Sequence, residues 1–290
     1  MNLPQPRPGS NDRSDCELTR ERVATTRAPA QAKSRRAIVR LGIAAAMFFG
    51  EAADARRFEM AREVIAPYVG ATYGISNLSD SAYGRSSGAS TFFAETVKQN
   101  TSGELGVTLN VQAFVLRVGV EYIFGQTMTG VKGNDASGAQ LLDLDSKVSA
   151  IVPMGAIEIP LAVGVESRLH LGVGGGYALV NVDNEYRMTP AGLTAYPGVS
   201  ETYSEKGSGG GIAYKAYLGG EFLLTDTVTL GMDLGYRHVQ ASSLQASKSM
   251  TTLSGSYAAG ADLLLNNGER RSVNLGGLFI GTQLRIYLPY

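Results

Sequence analysis

From Glu63 to the last of 290 residues, large apolar side chains fall on every second position, in segment after segment. A strand turns successive side chains to opposite faces, so each such segment has one apolar face and one unlike it. In 228–237, Val228, Leu230, Met232, Leu234 and Tyr236 share one parity, and Thr229, Gly231, Asp233, Gly235 and Arg237 share the other. Phe114, Leu116, Val118, Val120, Tyr122 and Phe124 repeat the pattern, as do Tyr214, Ala216, Leu218, Phe222 and Leu224. Segment 169–179 sets His170, Gly172, Gly174 and Gly176 on its small face, and 64–75, 103–111, 148–161 and 274–290 alternate over most of their length. This predicts eight strands.

The links between them carry the topology. Three are very short, near Val111, 164–167 and Asp226, and four are long, at about 76–102, 125–147, 181–210 and 240–272. Short and long links in alternation are what an antiparallel barrel in a membrane shows, with tight periplasmic turns and long extracellular loops. The expected fold is therefore all-β: a transmembrane, antiparallel, up-and-down β-barrel of eight strands with both ends on the periplasmic side. Residues 250–266 alternate in part, which leaves open a ten-stranded ring or a hairpin standing above the membrane.

Composition decides which face is outside. A soluble barrel keeps its large apolar residues within and covers its exterior with charge. Here only 18% of residues are charged and 36 are glycine, so the polar parity is mostly Gly and Ala with one or two charges per strand. Such a face is too bare to meet water but fits a narrow lumen. The large parity then meets lipid. Tyr73, Tyr122, Phe124, Tyr177, Tyr214 and Tyr236 are expected near the outer interface, and Phe114, Phe222 and Tyr290 near the inner one, as two aromatic girdles.

The N-terminal part reads as an address. Lys33, Arg35, Arg36 and Arg40 precede the apolar run 41–50, and Ala53 and Ala55 supply the small residues of a cleavage site after Ala55. This is the layout of a secretory signal peptide. Residues 1–55 are thus expected to be an extension plus signal, and 56–290 the barrel. The long basic region points to a downstream start codon. Cys16, the single cysteine, falls in the removed part, so the mature chain has no disulfide framework and no thiolate metal site. Positions 1–55 hold nine of the 26 basic and six of the 26 acidic residues, leaving 17 and 20, a net charge near −3 that points to no nucleic-acid partner.

At the other end, Leu284, Ile286, Leu288 and Tyr290 share one parity and the chain ends on the aromatic. Here residues 63–290 resemble the small outer-membrane barrels of the OmpA, OmpX and opacity-protein type. That resemblance implies a bacterial outer-membrane location among lipid and lipopolysaccharide, and a C-terminal strand read by the barrel-assembly machinery. Thr282 departs from the pattern, and Tyr stands where Phe is commoner.

Charges on the lumenal parity fall into two tiers when the strands are laid out from the short turns. Arg117, Glu158, Glu221 and Arg285 belong to the periplasmic half, Glu104, Glu121, Lys215 and Arg237 to the outer half, and Asp233 lies between. Each tier has two acids and two bases. Unpaired charge in a confined interior is costly, so these groups are expected to pair and to plug the barrel, the alternative being a small pore for ions or solutes.

Catalytic patterns are sparse. Some small barrels act on lipid A with His, Ser and a carboxylate at the outer rim. His238 precedes Ser242 and Ser243, but it lies on the lipid-facing parity with no carboxylate evident beside it, and reads as an interfacial imidazole. His170 is expected in a lumenal hydrogen-bond network. The run 172–176 lacks the Lys-Ser/Thr of a phosphate loop, and Asp143 with Asp145 is too little for a calcium loop. No cofactor or metal is expected. The expected function is a non-enzymatic structural or surface-interaction role, adhesion-like, exerted through the long loops on an extracellular ligand or host surface. A pore and a lipid A-modifying enzyme are the alternatives. Tyr186, Tyr196, Tyr203 and Tyr257 and the run 263–265 in those loops either anchor a partner or pack together as a cap.

Overall fold

The computed structural model describes residues 64–76, 92–93, 99–111, 113–164, 166–265 and 267–288. The expected signal region, with Ala53 and Ala55, and the terminal Tyr290 lie outside the described residues. Eight long strands follow one another: β1 (Ile65–Ile75), β2 (Gln99–Val111), β3 (Phe114–Asn134), β4 (Gln140–Val163), β5 (Ser167–Met188), β6 (Thr202–Leu223), β7 (Val228–Ala241) and β8 (Gly277–Ile286). Each pairs antiparallel with its sequence neighbours. β8 returns to β1 through a register running from Tyr68↔Arg285 to Gly74↔Phe279, which closes the ring. Residues 250–252 and 255–257 form a separate two-stranded hairpin, so the ring has eight strands and the partly alternating stretch stands outside it.

The three short turns lie at one end. In the second, Gly164 N–H donates to Ser167 O at 2.7 Å; in the third, Leu224 N–H donates to Val228 O at 2.8 Å. Around the middle of the ring the outward face is apolar and bare: Leu105, Val118, Val120, Ile157, Leu171, Val173, Leu218 and Leu234 are all exposed. The aromatic residues Tyr73, Tyr122, Phe124, Tyr177, Tyr214 and Tyr236 are exposed on the same outward face. A continuous apolar belt of this extent has no stable place in water, and closure removes every free edge, so the barrel spans a membrane with its strands.

Four strands run well past this belt. The links read as 125–147 and 181–210 are largely strand: β3 and β4 meet at a tight turn over 135–139, and β5 and β6 are joined by 189–201, which holds one short helix, α1 (Pro190–Ala195). The reason is an exchange of faces. Along β5, Leu169, Leu171, Val173, Tyr177 and Leu179 point out, followed on the same face by Asn181, Asp183, Glu185 and Arg187. The inward face goes the other way, from Arg168, His170 and three glycines to Ala178, Val180, Val182, Tyr186 and Met188. β4 does the same, with Lys147, Asp145 and Asp143 outward and Val148, Leu144 and Leu142 inward. Strand geometry continues while the solvent outside changes from lipid to water. At the tip, Asp135 Oδ1 accepts from the Ser137 hydroxyl at 2.7 Å and from the Ala139 N–H at 2.8 Å. The Ser137 hydrogen bond, backed by these amides, holds the Asp135 carboxyl below its ordinary range.

The lumenal glycines serve as sockets. A Cβ at Gly172 would stand 2.2 Å from the Tyr217 ring, and one at Gly119 would stand 2.3 Å from the Tyr68 hydroxyl. Each tyrosine occupies space over a nearby strand that is open because the residue there has no side chain.

The exchange of faces gives a test on a single strand. Val173→Arg, in the middle of the belt, is expected to cost about 2–4 kcal/mol in reversible unfolding from phospholipid vesicles. Asn181→Arg, eight residues on and on the same face, is expected to change stability by no more than about 0.5 kcal/mol.

Candidate functional site

The interior has two fillings, one ionic and one apolar. The ionic filling is at the height of the belt. On β2 and β3, Glu104 and Glu121 are direct cross-strand neighbours, and on β6 and β7 so are Lys215 and Arg237. Like charges in that relation repel. Each is neutralised from across the barrel: Lys215 Nζ reaches Glu104 Oε2 at 2.9 Å, and Arg237 pairs with Glu121. Arg237 also donates to Asn100 and, at 3.1 Å, to Ser102 Oγ. These struts tie opposite walls together.

Below them the charges form one connected group. Arg117 donates twice to Glu104, at 3.1 and 2.8 Å, and once to Asp233 at 3.2 Å, with Glu158 Oε1 at 3.5 Å. Arg285 bonds Glu158 at 2.7 Å and Glu221 at 3.2 Å. All of Glu104, Arg117, Glu121, Glu158, Lys215, Glu221, Asp233, Arg237 and Arg285 are buried. The structure thus brings together the lumenal charges picked out from the sequence, with one change of place. Arg117 was expected among the short-turn tier, but its guanidinium reaches up to Glu104 and joins the two tiers.

Several members were not legible. Arg168 is buried and pairs with Glu221, its direct cross-strand neighbour, yet it sits one residue before the alternating segment as read. Tyr68, Tyr217 and Tyr287 donate to Glu104, Glu158 and Glu221 at 2.6, 3.0 and 2.7 Å. The guanidinium of Arg117 lies 4.5 Å from the Tyr68 ring centre. Their positions in the strands were readable, but the glycine sockets that admit Tyr68 and Tyr217 were not. His170, fully buried, places Nε2 3.6 Å from Asp233 Oδ1 and 3.8 Å from Glu158 Oε1.

Above the belt the filling is apolar. Ile123, Val131, Leu142, Leu144, Val148, Val180, Val182, Val239 and Ala241 of the ring strands form one buried cluster with Leu244, Leu263, Val273 and Leu275 of the last long link. Tyr186 of this cluster stacks on Tyr203, ring centres 4.7 Å apart and planes 7° apart, and Tyr203, Tyr196 and Tyr257 pack on its border. The loop aromatics therefore cap the barrel from within. One ion pair interrupts this core: Arg271 pairs with Glu205, the second nitrogen at 3.2 Å, and Arg271 Nε donates to Leu264 O at 3.2 Å. Burial pushes the Tyr203 hydroxyl well up from its ordinary range and lowers the Arg271 guanidinium.

The remaining candidates are placed apart from both fillings. His238 stacks on Tyr214 with ring centres 4.7 Å apart, and its Nε2 meets Gln240 Oε1 at 3.1 Å. Asp145 pairs with Arg187 and accepts from the Gly130 N–H at 2.7 Å, while Asp143 accepts from Gln140 at 2.8 Å. Among the described residues, no group of three or more His, Cys, Asp or Glu side chains is arranged to hold a metal ion. Leu284 and Leu288 are exposed on the outward face and Ile286 is half-buried.

No protein-family model matches the chain, and no curated protein matches it in sequence. Among solved structures, the chain is similar to Ail, the attachment invasion locus protein of Yersinia pestis, at 12% identity over 77% of this chain and 99% of that one, with a TM-score of 0.39. It is similar to the outer membrane protein OprG from Pseudomonas aeruginosa at 12% identity over 78% and 97%, with a TM-score of 0.38. A major outer membrane protein from Thermus thermophilus matches at 10% identity over 77% and 99%, with a TM-score of 0.40. The barrel described above rests on its own strand pairing and not on these likenesses.

The struts can be tested by a pair of variants. Arg237→Met leaves Glu121 without its cation and is expected to cost about 3–5 kcal/mol in urea unfolding from vesicles. Adding Glu121→Gln is expected to recover most of that loss, because the residue left behind no longer carries a buried charge.

Proposed function

We propose that the chain is a non-enzymatic protein of the bacterial outer membrane, closed along its axis, that serves as a surface-presented structural or interaction module. The observation that carries this reading is the double filling of the barrel. Belt-height charges are paired across the lumen, and the outer end is packed with apolar side chains. An eight-stranded ring leaves room for little beyond its own side chains, so either filling blocks an aqueous path.

In this reading residues 1–55, an extension followed by the export signal, are removed by cleavage after Ala55, and Leu284, Ile286, Leu288 and Tyr290 are the assembly signal read by the barrel-assembly machinery. The short turns face the periplasm. The projecting part of β3 to β6, with the 135–139 turn and α1 at its tip, faces outward beyond the lipopolysaccharide headgroups. Its outer face is a mixed-charge surface, with Lys206–Asp183 paired at 2.6 Å and Arg187 paired with Asp145. Elements of a rigid extended sheet hold such a surface in place better than free loops do, and this suits contact with an extracellular ligand or host surface.

The purified barrel in planar lipid bilayers is expected to give no steady single-channel steps. Sustained unitary conductance from the folded protein would replace the closed reading with the pore. Mass spectra of lipid A from cells with and without the gene are expected to coincide; a changed acyl chain would replace the non-enzymatic reading.

A further inference from the structure

The last long link, 242–276, covers the inner face of the projecting sheet, yet it is tied to the ring by little main-chain pairing. Gln245–Ala246 pairs with Gly207 and Ser208, and Val273–Asn274 pairs with Ala241 and Gln240. Ring strands, by contrast, pair over runs such as Arg187↔Thr202 to Ser167↔Phe222. Most of the link's own hydrogen bonds are internal. Leu263 N–H donates to Leu244 O at 2.8 Å, Leu244 N–H to Arg271 O at 3.0 Å, Arg271 N–H to Leu263 O at 2.9 Å and Ala246 N–H to Ala261 O at 2.8 Å. The segment is folded on itself and laid on the sheet.

Two devices key it there. Gly207 of β6 is a socket for the link: a Cβ at that position would stand 2.9 Å from Leu263 Cδ1. The second is the Glu205–Arg271 pair. Glu205 is buried on the inward face of β6, Arg271 is buried on the link, and the ion pair crosses between them beside the buried Asn184–Ser146 hydrogen bond in a largely apolar core. A well-packed core has no need of such a pair for its stability, whereas breaking one by removing a single partner is strongly unfavourable. Beside the Gly207–Leu263 fit and the short main-chain pairings, the arrangement gives the attachment of the link one charged contact that a small change can cancel.

We infer that 242–276 is a lid that detaches from the barrel as a unit, latched by Glu205–Arg271, and that its release uncovers an apolar basin at the outer end. The basin is lined by Leu142, Leu144, Val180, Val182 and Val239, which leave the ring's own strand pairing intact when the lid moves. Such a unit opens at lower free energy than the ring around it and exchanges its amide hydrogens separately.

Hydrogen–deuterium exchange of the full-length barrel in nanodiscs tests it, with the β4–β5 amides of Val148 and Val180 as the internal reference. Glu205→Gln is expected to speed exchange at Leu244, Leu263 and Arg271 by about 100-fold or more, with the reference unchanged, and to raise the fluorescence of an added apolar dye. Gly207→Val, which leaves both charges in place, is expected to act in the same direction. Glu205→Leu with Arg271→Leu is expected to restore slow exchange and low dye fluorescence, since the latch is then replaced by apolar packing. Equal loss of protection at Val148 and Val180 would overturn the lid, because link and ring would then be one cooperative core. Unchanged exchange in Glu205→Gln would overturn the latch.

Discussion

Hydrocarbon offers a peptide group no hydrogen-bond partner, and the rest of this molecule follows from that. The ring must close, β8 back onto β1, or a row of N–H and C=O groups would face lipid. Closure with eight strands fixes a narrow interior, and the outward parity is committed to apolar side chains. Polarity that the chain carries at belt height therefore has one place to go, and in that place it must be neutralised by its own neighbours. The tyrosines lying in glycine sockets, the carboxylates each shared by two or more donors, and the bases reaching across from the opposite wall are all solutions to the same confinement.

Above the belt the same ring meets water on the outside, and the solution reverses. Charged residues move to the outer face and aliphatic ones fill the inside, with no break in strand pairing along β5 between Leu179 and Asn181. The molecule is thus a membrane barrel and a water-facing apolar-cored sheet structure joined along continuous strands. What differs between the halves is the medium outside.

This explains which parts could be read from the sequence. Within the belt, alternation of large apolar with small residues has one interpretation, and the strands there begin and end close to the segments read. In 125–147 and 181–210 the alternation persists, but with charge on the outward parity and aliphatics on the inward one; sought as a continuation of the lipid-facing pattern, it vanishes and leaves apparent loops. The lumenal acids and bases were legible by parity alone, because burial demands that they pair. Their partners were not, since Arg117 chooses between tiers by the reach of its side chain and not by its height on the strand. Arg168 was hidden by a boundary one residue off. The Glu205–Arg271 pair joins residues far apart in sequence, one of them in a link that alternates only in part, and no local signal announces it.

The distribution of charge among the strands has a consequence for how such a barrel comes to be. The β2–β3 hairpin holds two neighbouring carboxylates, and the β6–β7 hairpin holds two neighbouring cations. The β6–β7 hairpin also carries Glu221 and Asp233, but these pair with Arg168, Arg285 and Arg117 of other strands. Most ion pairs of both hairpins therefore form only when the strands around them have bent into a circle. A partly inserted chain would carry opposed, uncompensated charges on an interior still open to the membrane. Completion of the ring is then also the moment at which these charges meet their partners, so the barrel's chemistry rewards the finished circle over every unfinished arc.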